Sequence, residues 1–199
     1  DPVHFADRDR DKLRVSLEWL PTESVSLQFF YDDAEDTYGG RPLGPERGEA
    51  RFYSLDATWT VSEVWQINAW ASREDNDIDQ STITSASGTA IPAQTWQARL
   101  RTRGEAYGAG LFANPGENVQ LGLTWQQERD RSGYQVIATT TPTAALLPDI
   151  LTRQSRATLF LKYAFSDQLD LRFDLAHERF RTNDWTWDGW VYADGTTVV

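Results

Sequence analysis

The sequence predicts an all-β protein whose strands build an antiparallel, up-and-down transmembrane β-barrel. Three observations carry this expectation. Apolar residues recur at every second position in eight stretches, the connections between stretches alternate between short and long, and aromatic residues gather at both ends of the apolar face. A period of two puts successive side chains on opposite faces of a strand, where a helix would repeat at roughly 3.6 residues. Outer-membrane barrel strands alternate in this way, with short turns on one side and longer loops on the other.

The first hairpin carries Leu13, Val15, Leu17 and Trp19 on one face, with Arg14, Ser16 and Glu18 opposite. It turns at Pro21-Thr22-Glu23-Ser24 and returns through Val25, Leu27, Phe29 and Tyr31. The second runs through Tyr53, Leu55, Ala57, Trp59 and Val61, turns near Ser62-Glu63, and returns through Trp65, Ile67, Ala69 and Ala71. The third pairs Tyr107, Ala109, Leu111 and Ala113 with Val119, Leu121, Leu123 and Trp125 across Asn114-Pro115-Gly116-Glu117-Asn118. In the fourth, Ala157, Leu159, Leu161, Tyr163 and Phe165 lead through Ser166-Asp167-Gln168 to Leu169, Leu171, Phe173 and Leu175. Pairing Phe165 with Leu169 brings every apolar residue of this hairpin to one face.

Between hairpins, residues 32–50, 72–104 and 127–154 are polar and broken by Gly and Pro, and they read as long loops, as do residues 1–10 and 181–199. Residues 1–199 are expected to form a single region, a fragment of a barrel, since the sequence ends in a loop at Thr197-Val198-Val199 and not in an apolar strand.

Composition narrows the function. A net charge of −11 argues against a nucleic-acid partner, which needs a basic footprint. With no cysteine the chain has no disulfide, thiolate metal site or covalent haem attachment. No apolar run approaches the roughly 18 residues of a spanning helix, but barrel strands need only about 9 to 11 residues each. Nine Trp, seven Tyr and nine Phe suit strands and membrane interfaces.

Alternation alone leaves open a soluble β-barrel that binds a ligand inside. The aromatics favour lipid on the apolar face. Trp19, Trp59, Trp65, Tyr163 and Phe165 lie near the short turns, and Tyr31, Tyr53, Tyr107 and Trp125 lie near the long connections. Leu17, Leu27, Ala57, Ala69, Leu121 and Leu161 fill the band between these two girdles. The other face, toward the lumen, carries Arg14, Glu18, Lys162, Asp170, Arg172 and Asp174. Gly108 and Gly110 also lie there, where a bulky partner can approach closely.

The stretch Phe5-Ala6-Asp7-Arg8-Asp9-Arg10 ahead of an alternating strand resembles a segment that precedes a late barrel strand in the MtrB/PioB family of decahaem-associated outer-membrane proteins. Leu169-Asp170-Leu171-Arg172-Phe173-Asp174 with His177-Glu178-Arg179-Phe180 resembles that family's penultimate strand, and Tyr107-Gly108-Ala109-Gly110-Leu111 resembles its Leu-Gly-Ala-Gly-Val segment. The resemblance covers most of the chain, in order. It implies a bacterial outer-membrane barrel of more than twenty strands that sheathes a periplasmic multihaem c-type cytochrome and lets it carry electrons across the membrane, with residues 1–199 as its C-terminal part, lacking the closing strand. The haems would belong to the partner, and this chain would bind no cofactor. Other readings are a general diffusion porin or solute channel and the soluble ligand-binding barrel.

Remaining constellations are weak. Asp75-Asn76-Asp77-Ile78-Asp79 opens like a calcium loop but has Gln80 at the sixth position and Ala86 at the twelfth, so it reads as a solvated loop. His177 shares the apolar parity near a strand end, which suits a rim position. No serine sits in a Gly-x-Ser-x-Gly setting, and no catalytic or metal-binding set is identified; the chain is not expected to be an enzyme. Trp185, Trp187 and Trp190 read as aromatic packing in an outer loop.

Overall fold

A computed structural model of the chain describes residues 7–39, 44–86, 89–139, 147–166 and 168–185. The described residues form eight strands: β1 (Asp7–Thr22), β2 (Val25–Gly39), β3 (Gly44–Thr60), β4 (Trp65–Ala86), β5 (Thr89–Gly116), β6 (Val119–Thr139), β7 (Ile150–Ser166) and β8 (Leu169–Thr182). They make one sheet in the order β1-β2-β3-β4-β5-β6-β7-β8, with every neighbouring pair antiparallel. The expected all-β up-and-down architecture is therefore present, as an open sheet.

Local chemistry explains the tight ends. At the β3–β4 turn the Ser62 hydroxyl accepts hydrogen bonds from the backbone N–H of Val64 at 3.3 Å and of Trp65 at 3.2 Å, which holds the chain in a compact reversal. Neighbouring turns are tied together: Asn114 N–H donates to Val64 O at 2.9 Å, and Ala164 N–H to Asn118 O at 2.9 Å. In the β7–β8 hairpin Tyr163 faces Leu171 in the expected register, but an irregularity beside the turn sets Ser166, not Phe165, opposite Leu169.

The long polar connections are where sequence and structure part. β2 continues to Gly39, β3 starts at Gly44, and β4, β5 and β6 run far into the segments expected to be loops. β1 begins at Asp7 and β7 at Ile150, so these ends also extend into expected loops. The reason is cross-strand ion pairing, which supports strands that have no apolar face to bury. Arg51 reaches Asp33 at 3.0 Å, Arg47 reaches Glu35 at 2.7 Å, Arg101 reaches Asp77 at 2.6 Å and Arg103 reaches Asp75 at 3.0 Å. Pro45 and Gly48 do not interrupt β3. Pro45 lies beside a register shift, and a Cβ on Gly48 would stand 3.4 Å from that of Asp36, its cross-strand partner.

Asp75–Asp79 is accordingly a stretch of β4, not a loop. Asp75, Asp77 and Asp79 point to one face and Asn76 to the other, and the three carboxylates are engaged by Arg73 and Arg103, Arg101 and Arg99. Such a ladder lacks the convergence of oxygen ligands that a calcium loop provides.

Between register shifts, odd-numbered residues from all eight strands share one face and even-numbered residues share the other. The odd face is apolar in its turn-side half and largely exposed: Leu17 is 60%, Leu123 50% and Leu171 58% accessible. A soluble barrel would bury these side chains. Apart from Ala113 beside the β5–β6 turn, the buried positions Ala34, Asp36, Gly48, Ala98, Gly108, Gly110 and Gly122 fall instead on the even face, where side chains crowd.

Candidate functional site

The even face is the candidate site, because it is polar, crowded and opposite the apolar surface. Arg14, Glu18, Gly108, Gly110, Lys162, Asp170, Arg172 and Asp174 all lie on it, distributed over β1, β5, β7 and β8. They form local clusters along the wall. Arg14 donates from Nε to Asp32 Oδ2 at 3.0 Å, and Lys12 reaches the same carboxylate at 2.9 Å. Lys162 Nζ stands 2.8 Å from Asp170 Oδ2, and Arg172 grips both oxygens of Asp174 at 2.8–3.1 Å. Glu18 is opposite Gln28.

Sequence reasoning overlooked the aromatic part of this face. Phe30, Phe52, Trp70, Phe112 and Phe160 have the polar parity and lie on the even face with the charges. Phe30 and Phe52 meet edge-on with centroids 5.9 Å apart, and Arg14 lies 5.4 Å over the Phe30 ring. Phe112 and Phe160 are 6.2 Å apart, and Arg172 lies 5.0 Å over Phe160. Arginine over an aromatic face gains from the ring quadrupole, and here it also fixes the guanidinium flat against the wall.

The glycines serve these rings. Gly122 is directly opposite both Phe112 and Phe160, and Gly108 is opposite Trp70. A Cβ on Gly108 would stand 2.8 Å from the Trp125 carbonyl oxygen and 2.9 Å from Trp70 Nε1. A Cβ on Gly110 would collide with Asn68 and Phe112, and one on Gly122 with Phe160. Part of the room left by these residues is therefore taken by neighbouring side chains. The signal available in the sequence was an aromatic on polar parity facing a glycine on the next strand, which requires the register to be known.

Beyond the apolar band the even face carries Asp36, 8% exposed, whose two oxygens accept from Arg10 Nε at 2.6 Å and Nη2 at 2.7 Å. That bidentate bond holds the Asp36 carboxyl below the usual range, against burial, with added help from the charges of Arg10 and Arg8. At the far end of β7 and β8 the side chain of Asn183 accepts from Leu151 N–H at 2.5 Å, and Trp185 Nε1 donates to Pro148 O at 2.7 Å. Trp185 thus closes the strand ends, while Trp187 and Trp190 lie outside the described residues.

The odd face places Trp19, Tyr31, Tyr53, Trp59, Trp65, Tyr107, Trp125 and Tyr163 at the ends of its apolar band, with Tyr31 on Tyr53 at 5.1 Å and Tyr107 on Trp125 at 5.7 Å. Phe165 packs edge-on against Tyr163 at 4.6 Å by the last turn. His177 is opposite Ala157 on this same face.

Comparison with known proteins agrees with this two-faced wall. The chain is 24% identical over 183 residues to the outer membrane protein MtrB of Shewanella baltica (strain OS185), covering 91% of this chain and 25% of that protein. It thus spans about a quarter of that relative's length. In fold it matches the copper transporter OprC with a TM-score of 0.71 at 13% identity, over 90% of this chain and 30% of that one. The family model of the outer membrane beta-barrel porins MtrB/PioB matches residues 1–198, and the chain belongs to that family of the bacterial outer membrane.

Proposed function

We propose that this chain is part of the wall of a larger barrel that sheathes a periplasmic multihaem c-type cytochrome and insulates its electron path across the outer membrane. The observation that carries this reading is the even face, where Arg14 and Arg172 are stacked on Phe30 and Phe160 beside small residues. Such a surface is pre-ordered and amphipathic, and flattened arginine and aromatic groups are favoured where protein meets protein. In this reading Glu18, Lys162, Asp170 and Asp174 also face the partner, and Gly108 and Gly110 let Trp70, Asn68 and Phe112 lie close against the wall on that side. The wall itself performs no catalysis and holds no haem; with no cysteine it has no thioether attachment point.

The sheet edges support a larger barrel. All 16 residues of β1 and all 14 of β8 are exposed, and neither strand pairs with the other. In lipid every backbone N–H and C=O needs a partner, and the open edges of β1 and β8 suit a wall continued by further strands. In this reading the chain is one section of that larger wall.

The test is to purify the complete protein from outer membranes and record haem absorbance. A stoichiometric multihaem spectrum is expected to co-purify, and its absence from an intact barrel would reject the reading. A diffusion porin is the second reading, favoured by the charged inner face; it requires an open single-channel conductance without any partner.

A further inference from the structure

Above its aromatic girdle the odd face turns from apolar to arginine-rich. One cross-strand row contains Tyr53, Arg73, Glu105, Arg129, Arg153 and Arg181, each directly opposite the next. Arg73 reaches Glu105 at 3.5 Å, but no carboxylate among the described residues pairs with Arg129 or Arg153. In the next row Arg103 faces Arg131, each already held by an acid, Asp75 at 3.0 Å and Asp149 at 2.5 Å. Like charges set directly opposite each other repel. Arg129 and Arg153 are such a pair, on β6 and β7 of a chain whose net charge is −11.

Two open clefts mark the place. One of about 280 Å³ is lined by Arg73, Arg103, Arg129, Arg131 and Arg153 against Glu105 and Asp130. The other, of about 390 Å³, continues it past Arg99 and Arg101. Arg129 lies four residues beyond Trp125 and Arg103 four beyond Tyr107. At about 3.4 Å per residue and a strand tilt near 40°, that is roughly 10 Å above the girdle, at the outer edge of the headgroup layer. Long arginine side chains can bend back to meet that layer.

We propose that this arginine patch binds the phosphate groups of outer-leaflet lipid. A lipid is the occupant because the patch continues the lipid-facing surface and opens sideways from the barrel, not toward its lumen. Guanidinium groups grip phosphate oxygens in pairs, and adjacent arginines on β6 and β7 give such a headgroup two attachment points. The assignment rests on membership of the outer-membrane family and is independent of what fills the lumen.

The test uses the full-length protein in detergent, with native mass spectrometry of retained lipid as the readout. The probes are a diphosphorylated lipid A-type glycolipid, its dephosphorylated form and inorganic phosphate. The wild type is expected to prefer the diphosphorylated form by at least about fivefold. Arg129→Gln with Arg153→Gln should abolish that preference, while Arg51→Gln, on the same face but beside Asp33, should keep it. Heat-modifiable migration of the folded barrel reports folding, and Arg153→Gln alone, at an exposed position, serves if the double variant does not fold. Equal retention of both lipids by the wild type, or an undiminished preference in the folded variant, overturns the proposal. Displacement of the glycolipid by equimolar inorganic phosphate also overturns it, by assigning a soluble anion.

Discussion

Phe160 lies over Gly122, its cross-strand partner, and its ring fills the space that a side chain at Gly122 would occupy. The ring also meets Phe112 across Gly122 and is capped by Arg172, so it has little freedom to withdraw. Gly122→Val is therefore expected to cost about 1–3 kcal/mol, the usual range for forcing extra volume into a packed site. Gly116→Val serves as the contrast, since nothing lies within 4 Å of a Cβ there. Urea unfolding of the full-length barrel measures both. Equal effects would mean that the Phe160 packing does not constrain the wall.

How far the sequence could be read depends on what holds each part together. The band from Leu13 to Trp19 and its seven counterparts announced itself because lipid selects one apolar face, and strict alternation is visible one residue at a time. The extensions were missed because Asp33–Arg51 and Asp77–Arg101 are pairings between strands, and in the linear sequence they are indistinguishable from a polar loop. For the same reason Arg14 and Arg172 could be given a face, but their stacking on Phe30 and Phe160 could not be foreseen. Phe160 faces Gly122 from 38 residues away, and only the register joins them.

Leu123 lies in the middle of the exposed apolar band, opposite Leu111 and Leu159. Leu123→Arg is expected to destabilise the inserted barrel by about 2–4 kcal/mol, the cost of a cation near the bilayer midplane. Gln28→Lys, on the opposite face between Glu18 and Asp56, should stay within about 0.5 kcal/mol. Folding into bilayers followed by denaturant titration compares the two. A tolerant Leu123 site paired with a sensitive Gln28 site would mean that the two faces had been assigned the wrong way round.

Three carboxylates beyond the apolar band titrate below their ordinary range. Asp36 is held down by Arg10, Asp75 by Arg73 and then Arg103, and Asp79 by Arg99, each by hydrogen bonding first and charge second, with burial opposing. The folded state then binds fewer protons than the unfolded state. Its extra stability is fully present above the unfolded carboxylate pKa of about 3.9 and is lost as pH falls through the lower folded values. Thermal unfolding of the full-length protein should therefore drop steeply below about pH 4. Combining Asp36→Asn, Asp75→Asn and Asp79→Asn should lower stability at neutral pH and flatten the acid limb. An acid limb as steep in the triple variant would remove these pairs as its cause.

Arg172 separates wall stability from partner binding. It is exposed, paired with Asp174 along its own strand and stacked on Phe160, so its contribution to the wall is the small one of a surface ion pair. If the inner face meets a cytochrome, the same flattened guanidinium is a contact of the kind that dominates interfaces, where truncation costs about 2 kcal/mol or more. Arg172→Gln should then leave the unfolding midpoint nearly unchanged while weakening retention of the haem-containing partner by roughly 30-fold. A fall in both quantities together would assign Arg172 to the wall alone. A fall in neither would take it out of the interface and leave the contact to other residues of the even face.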